Sequence, residues 1–332
     1  MQLMHTRWPI FAALVVGIAA TAAMWYAVLA NPSGEAVPAS GGRFVEGVTR
    51  PPERINPLFA SANPTDADLV ALIFGGLVRL GPDGTPQPDL AERWEITGNG
   101  TSYVFHLRSG IAWHDGPDIA FDADDVVFTY RAITDPAFRG DRALVQLMDG
   151  VVVSARDPQT VEFKLQQPYA PFLTYLTLGI LPRHLLDELD ADGLFNATFN
   201  AAPVGTGPYR FKGIGKDRVV LESNPTYHLG PPHISALELR FYEDGSELVQ
   251  SLRKGDIDGA LLRTDAPEAD IRILQNDRRF QLQLLAATSF GIVYLNPSLP
   301  LFGDPIVRAA LARAVNSQLI AAQQAEGRGV PA

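Results

Sequence analysis

The sequence predicts an α/β protein with enough chain for about two domains, and three observations lead to that class. Apolar residues alternate between Trp94 and Leu107 on both sides of a Gly-Asn-Gly turn at residues 98–100, which is typical of a β-hairpin. After Asp122, apolar residues recur at helical spacing. The 332 residues are 46% hydrophobic and 19% charged, a composition that allows sizeable cores.

The N-terminal segment predicts insertion into a membrane or export across it. Pro9–Ala30 carries no charge, is long enough to span a bilayer and follows Arg7. We expect residues 1–30 to form an uncleaved transmembrane anchor or a signal peptide cleaved after Val28-Leu29-Ala30, with a buried core helix as the third interpretation. Residues 31–42 are rich in Pro, Gly, Ser and Ala and predict a flexible linker.

Local patterns also predict the first elements after the linker. Arg43–Val48 alternates as a short strand, and a loop through Asn56 follows it. Thr65 and Asp66 are candidate caps for a helix from Ala67 to Leu77, because their side chains can accept hydrogen bonds from free backbone N–H groups.

The remainder of the chain alternates strand and helix patterns. Asp122 is the predicted cap of one helix, with Asp124 and Asp125 at the positive end of its dipole. Ser246 is the predicted cap of a later helix, and Asp304, followed by proline, begins another. The remaining strands are predicted at 151–153, 161–165, 219–222, 237–241, 280–285 and 290–295.

Composition and motif content exclude several classes of function. The net charge of −10 argues against nucleic acid as the main partner. The absence of cysteine excludes disulfides, thiolate metal sites and a cysteine nucleophile. The sequence contains no P-loop, no Gly-x-Ser-x-Gly elbow and no His-Glu-x-x-His motif. The acidic cluster from Asp115 to Asp125 lacks the calcium-loop pattern, so we expect neither a metal site nor a cofactor.

Several short motifs occur together in a fixed order. They are Leu-Ala-Glu-Arg-Trp at 90–94, Tyr-Val-Phe-His-Leu-Arg at 103–108, Trp-His-Asp-Gly at 113–116, Asp-Asp-Val-Val-Phe-Thr-Tyr at 124–130 and Pro-Val-Gly-Thr-Gly-Pro-Tyr-Arg-Phe at 203–211. In this order they resemble the extracytoplasmic solute-binding proteins of family 5, which serve peptide and nickel ABC transporters. The resemblance covers roughly residues 43 to 332.

The resemblance implies an α/β, two-lobe periplasmic-binding-protein-like fold of type II, in the large cluster with an extra subdomain. It places the first lobe at residues 43–265, with an inserted subdomain at about 66–165, and the start of the second lobe at 266–332. The sequence ends in the middle of the family pattern. The resemblance therefore implies a C-terminally truncated member with an incomplete second lobe, whose helices lack part of their apolar core.

The resemblance also implies a binding protein rather than an enzyme. Such a protein is a monomer that captures an extracytoplasmic peptide or similar small solute between two closing lobes and passes it to ABC permease subunits. It is periplasmic, attached by its N-terminal helix or released after signal cleavage. A membrane-anchored solute sensor with the same fold and an exported hydrolase are the alternatives. The sequence does not indicate whether the ligand is a dipeptide, an oligopeptide or a nickel complex.

Positions that match ligand-facing loops of the family supply the candidate site. The candidate ligand-binding residues are Ser61, Ala62, Asn63, Phe138, Arg139, Tyr294 and Asn296. We expect the loop at 61–63 and the pair at 294 and 296 to face the gap between the lobes from opposite sides, and Arg142 is a further candidate beside Arg139. The alternatives are an ordinary helix-entry loop at 61–63, a solvated loop at 138–139 and a core position for Tyr294.

Overall fold

The structure is a computed structural model that describes residues 39–262, 266–283 and 293–324. The chain divides into two units, Met1–Gly41 and Gly42–Ala332. The first unit lies almost entirely outside the described residues, and so does the anchor predicted at Pro9–Ala30. Within the described ranges, no helix combines the length and the apolar character that crossing a membrane requires.

Strands and helices alternate along the second unit. The described strands are β1 (Arg43–Val48), β2 (Val78–Leu80), β3 (Pro86–Pro88), β4 (Ala91–Thr97), β5 (Ser102–Leu107), β6 (Ala112–Trp113), β7 (Gly116–Ala120), β8 (Val152–Asp157), β9 (Thr160–Lys164), β10 (Tyr209–Ile214), β11 (Arg218–Ser223), β12 (Ala236–Phe241) and β13 (Gly259–Ala260). The described α-helices are α1 (Pro64–Ile73), α2 (Ala123–Ile133), α3 (Arg142–Met148), α4 (Phe172–Tyr175), α5 (Arg183–Leu186), α6 (Ala191–Asn196), α7 (Gly245–Lys254), α8 (Glu268–Gln275), α9 (Pro300–Gly303), α10 (Pro305–Ala314) and α11 (Ser317–Gln324).

The larger sheet contains the parallel strands of the fold. Its order is β10-β11-β12-β1-β13. Strand β1 pairs in parallel with both β12 and β13, whereas β10, β11 and β12 form an antiparallel meander. The carboxyl ends of the three parallel strands, at Val48, Phe241 and Ala260, therefore lie at the same edge of the sheet.

The second sheet is antiparallel, in the order β4-β5-β9-β8, and contains the predicted hairpin as its β4–β5 pair. The turn residues 98–100 have φ values of 60°, 55° and 88°, in the left-handed region that Gly and Asn tolerate. The helix predicted at Asp122 also forms. Asp122 accepts the N–H groups of Asp124 and Asp125, while the Asp125 carboxylate accepts the Asp122 N–H, so the two side chains make a reciprocal capping box.

One apolar core lies beneath both sheets. Phe105 and Phe163 of the antiparallel sheet belong to the same buried cluster as Leu221 and Leu239 of the larger sheet. A smaller core lies between β1 and α7, where Val45 packs with residues of the helix. Because alternate side chains of a strand point to opposite faces, β1 contributes to both cores. The larger sheet is thus covered on both faces.

The turn at residues 205–207, which sequence analysis identified as a family motif, joins three segments. The Gly207 N–H donates to the carbonyl of Ile73, at the end of α1, at 2.8 Å. The His114 ring binds the same turn, because its Nδ1 accepts the Gly205 N–H at 3.3 Å and its Nε2–H donates to the Gly207 carbonyl at 3.0 Å. Burial lowers the pKa of His114 to about 4, so the ring is neutral at pH 7.

Two cap predictions are wrong. Helix α1 spans Pro64–Ile73 rather than Ala67–Leu77, and Asn63 caps it. Proline fits the first turn of a helix, where no backbone N–H is needed, so the helix begins earlier than predicted. The two residues predicted as caps bind the preceding loop instead. Helix α7 is capped by Asp244 and not by Ser246, which lies inside the helix.

The described residues after 293 form short helices with exposed apolar side chains. Helix α10 begins at Pro305 with Asp304 as its cap, as predicted. Residues 280–283 and 293–295 are not strands, and the remainder of the two strands predicted there lies outside the described residues. Leu311, Val315 and Ile320 are 41%, 54% and 49% exposed, so these side chains are only partly packed.

Candidate functional site

The loop after β1 lies at the carboxyl edge of the parallel strands, which is where open α/β sheets bind ligands. Strand β1 ends at Val48, and residues 49–63 lead from it to α1. Arg50 and Glu53 form an ion pair at 3.6 Å on this loop, and both side chains are more than half exposed. The loop therefore presents both signs of charge to solvent at the edge of the sheet.

Three buried side chains at the start of α1 hold this loop. Asn63 and Thr65 donate to the backbone carbonyls of residues 51 and 50, at 2.9 and 2.6 Å. Asp66 accepts the backbone N–H groups of residues 53 and 54 at 2.9 and 3.0 Å. Burial raises the pKa of Asp66, and the two N–H groups oppose that effect. We call Asn63, Thr65 and Asp66 the loop clamp.

A second buried contact fixes the middle of the loop. The Asn56 amide donates to the Asn200 side-chain oxygen at 2.8 Å, and its own oxygen accepts the Leu58 N–H at 3.0 Å. Asn200 in turn donates to the carbonyls of Leu194 and Phe195, both at 3.0 Å. Because a buried amide is costly to leave unpaired, this network favours a single conformation of the loop.

The three residues of the predicted loop at 61–63 differ in exposure. Ser61 and Ala62 are exposed, whereas Asn63 is 2% exposed and its oxygen also accepts the Thr65 N–H at 3.0 Å. The Asn63 side chain is therefore occupied by the backbone of the protein itself. Sequence analysis did not single out Arg50 and Glu53. Their position, as charged residues between a predicted strand and the next predicted helix, is the sequence feature that could have identified them.

Replacing Asn63 with alanine should lower the free energy of unfolding by about 1–2 kcal/mol, because both a helix cap and a bond to the loop are lost. Asn63→Ser, which keeps a capping oxygen but loses the amide that donates to the carbonyl of residue 51, should fall between this variant and the wild type. Ser61→Ala is the control and should stay within about 0.5 kcal/mol. Urea unfolding of the four proteins provides the measurement. Equal stability of Asn63→Ala and Ser61→Ala would contradict the clamp.

Ser61 lines a shallow apolar depression of about 270 Å³ beside α1. Ala67 and Ala71 of the helix form one side, and the turn at residues 177–179 forms the other. Gly179 allows this close approach, since a Cβ there would lie 2.6 Å from the Cβ of Phe74. The volume is below the roughly 300–1,000 Å³ of whole small-molecule sites, so the depression suits one part of a ligand.

The predicted pair at 138 and 139 lies against the same loop. The ring of Phe59 is centred 5.8 Å from that of Phe138 and 5.2 Å from that of Phe195. Arg139 pairs with Asp192 at 2.6 Å, and its guanidinium lies 5.5 Å from the centre of the Phe195 ring. Phe138 is half-buried in this aromatic cluster, whereas Arg139 is exposed. The structure thus brings together the loop at 49–63 and the pair at 138–139.

Tyr294 and Asn296 lie in an exposed segment. Tyr294 is 87% exposed, so it does not take the alternative position in the core. The Asn296 side chain accepts the N–H of Ser298 at 3.0 Å, as is common in turns. Within the described residues, these two side chains form no hydrogen bond, ion pair or ring contact with the loop at 49–63.

His184 and His228 each pair with one carboxylate, and the two pairs lie in different parts of the fold. His184 lies 2.9 Å from a carboxylate oxygen of Asp115, and His228 lies 2.8 Å from one of Asp89. His228 and Asp89 are each 8% exposed, so this pair joins two segments in the interior. In the part of the chain that the structure describes, no three His, Asp or Glu side chains form a group that could hold a metal ion.

The family model for bacterial extracellular solute-binding proteins, family 5 Middle, matches residues 85–332. This chain belongs to that family. The matched range includes the antiparallel sheet, the turn at 205–207 and the pair at 138–139. The clamped loop lies before it.

Curated relatives are about one third identical to the chain over the residues that align. It is 31% identical over 303 residues to the dipeptide-binding protein of Escherichia coli strain K12, covering 85% of this chain and 55% of that protein. It is 33% identical over 248 residues to the probable di/tripeptide-binding protein 5 of Pseudomonas aeruginosa strain UCBPP-PA14, covering 69% and 46%. The chain thus spans about half the length of the curated relatives that it matches.

Solved family structures share the two-lobe α/β fold. The oligopeptide-binding protein AppA of Bacillus subtilis, in complex with a nonapeptide, superposes with a TM-score of 0.71 at 26% identity over 88% of this chain and 57% of that one. NikZ of Campylobacter jejuni, in complex with Ni(L-His), gives 0.68 at 28% identity over 86% and 55%. The α/β, two-lobe fold class implied by the sequence motifs is therefore confirmed, and the chain covers a little over half of it.

Proposed function

We propose that this family 5 chain binds a peptide outside the cytoplasm for import by an ABC transporter. The observation that carries the proposal is the loop at 49–63, held by buried side chains at the carboxyl edge of the parallel strands in a family 5 chain. Relatives named as dipeptide-, di/tripeptide- and oligopeptide-binding proteins support a peptide as ligand.

The proposed activity is binding without chemistry. An ordered loop loses little conformational freedom when it contacts a ligand, so a pre-organised edge favours affinity. The exposed Ser61, Ala62 and Arg139 contact the ligand from one side, with Phe138 packed behind them. Tyr294 and Asn296 belong to the part that closes over the ligand from the other side by a hinge motion.

The same proposal includes the organisation of the chain. Residues 43–265 form the first lobe, with an inserted subdomain at about 66–165, and residues 266–332 begin the second lobe. The antiparallel sheet lies within this range, which supports an insertion there. Residues 1–30 anchor the protein or direct its export, and residues 31–42 connect them to the first lobe. The partners are a peptide and the permease subunits, and the protein acts as a monomer.

Isothermal titration calorimetry with the dipeptide Ala-Leu and the tripeptide Ala-Gln-Ala tests the proposed binding. We expect saturable binding of at least one peptide and none of free alanine. Ala62→Trp, at the tip of the loop, should weaken peptide binding at least tenfold by occluding the surface. Ala155→Trp, at an exposed position near the end of β8, is the matched control and should stay within twofold.

Two outcomes would contradict the proposal. If no peptide binds while Ni(L-His) does, the ligand class is wrong. If peptide binding is equal in Ala62→Trp, Ala155→Trp and the wild type, the loop is not part of the site.

A further inference from the structure

A second depression, of about 570 Å³, lies between the end of α2 and α3. Its volume is within the roughly 300–1,000 Å³ of small-molecule sites, about twice that of the apolar depression beside Ser61. The side chains that matter for its chemistry are Thr134, Asp135, Phe138, Arg139, Arg142 and Gln146. We call it the Arg142 depression.

Two arginines line this depression, and only one of them is paired within the described residues. The chain has a net charge of −10. Arg139 is already paired with Asp192 at 2.6 Å and held near the Phe195 ring. Arg142 is exposed and forms no hydrogen bond or ion pair with any residue that the structure describes. Its guanidinium therefore has all its donors available to a ligand.

One carboxylate on the rim opposes an anionic ligand. Asp135 lines the same depression, and its Oδ1 accepts the Ala137 N–H at 2.8 Å. This bond fixes the carboxylate in a turn, so Asp135 remains near Arg142 without pairing with it. An asparagine would keep the turn bond and remove the negative charge. Removing the positive charge of Arg142 should therefore weaken anion binding, whereas removing the negative charge of Asp135 should strengthen it.

We propose that the Arg142 depression is a subsite for a carboxylate group of the ligand, with Arg142 as the principal donor and Arg139, paired with Asp192, beside it. This inference rests on the proposed peptide-binding function. A guanidinium matches a carboxylate with two parallel N–H···O bonds, which is stronger and more directional than a single charge contact. In a peptide, the carboxylate is either an acidic side chain or the C-terminus.

The test compares Ala-Glu-Ala, Ala-Gln-Ala and Ala-Gln-Ala amide by calorimetry on the full chain. If the depression holds an acidic side chain, the wild type should bind the Glu peptide about three- to tenfold more tightly than the Gln peptide. If the depression holds the C-terminus, Ala-Gln-Ala amide should instead bind about three- to tenfold more weakly than Ala-Gln-Ala. Arg142→Gln should abolish whichever preference is present, and Asp135→Asn should increase it. Arg131→Gln changes the net charge equally at an exposed position of α2, outside the depression, and should leave the preference intact.

A second measurement does not depend on peptide binding. In a nuclear magnetic resonance titration with glutarate, the backbone signals of residues 134–146 should shift in the wild type and in Arg131→Gln but not in Arg142→Gln. Localised shifts without any peptide binding would support the carboxylate subsite and contradict the peptide function. Peptide binding without a carboxylate preference, together with unlocalised glutarate shifts, would overturn the subsite and leave the peptide function standing.

Discussion

Gly205→Ala will lower the free energy of unfolding by at least about 3 kcal/mol, which is the largest effect we expect from a single methyl group in this protein. A Cβ at Gly205 would overlap the backbone carbonyl of Ile73, at the end of α1. The Ile73 carbonyl also accepts the Gly207 N–H. Neither the end of α1 nor the turn at 205–207 can move away without breaking this hydrogen bond.

Gly213→Ala is the matched control, because a Cβ at Gly213 meets nothing within 4 Å. This variant should be as stable as the wild type or more stable by up to about 1 kcal/mol, since alanine restricts the unfolded chain. Urea unfolding of both variants tests the difference. If Gly205→Ala lowers the free energy of unfolding by less than about 1 kcal/mol, the turn at 205–207 can relax around a side chain.

The second large effect concerns pH, because two buried groups respond to it in opposite directions. Burial raises the pKa of Asp125 from 3.8 to about 6, although its carboxylate accepts N–H groups of Asp122 and Arg183. Between about pH 4 and 6 the folded state keeps a proton that the unfolded chain has lost. The contribution of Asp125 to stability therefore falls as pH rises through that window, by about 1.4 kcal/mol per pH unit.

His114 has the opposite effect in nearly the same window. Burial lowers its pKa from 6.5 to about 4, so between these values the unfolded chain binds a proton that the folded state does not. Its contribution to stability rises with pH, again by about 1.4 kcal/mol per unit. The two slopes nearly cancel in the wild type.

Each single variant should reveal the slope of the other group. From pH 4 to 6, Asp125→Asn should gain about 3 kcal/mol relative to the wild type, and His114→Gln should lose about as much. The double variant should regain the wild-type slope. Urea unfolding at half-unit pH intervals provides the measurement. Parallel stability curves for the wild type and both single variants would show that neither group has the shifted pKa.

The features that the sequence predicted correctly are those decided by neighbouring residues. The turn at 98–100 and the capping box at Asp122 depend on side chains within a few positions of each other, so their local chemistry was sufficient. The family motifs extended this to the α/β, two-lobe fold class. The predicted start of α1 was wrong because Asp66, a residue type that often caps helices, instead accepts the backbone N–H groups of residues 53 and 54.

The candidate site was harder to predict because its parts are distant in sequence. Strand β1 lies between β12 and β13, which come much later in the chain, so the parallel edge is defined only once the sheet has formed. The contact between Phe59 and Phe138, which places the predicted pair beside the loop, is likewise long-range. The resemblance to the family therefore supplied Ser61 and Arg139 as candidates without indicating that Asn63 faces inward.

The loop clamp also has an evolutionary consequence. Its hydrogen bonds are made to backbone atoms of residues 50, 51, 53 and 54, so they do not depend on which side chains those residues carry. Arg50 and Glu53 can therefore mutate while the path of the loop is retained. A lineage, or a library that randomises these positions, can explore new ligands at little risk to folding.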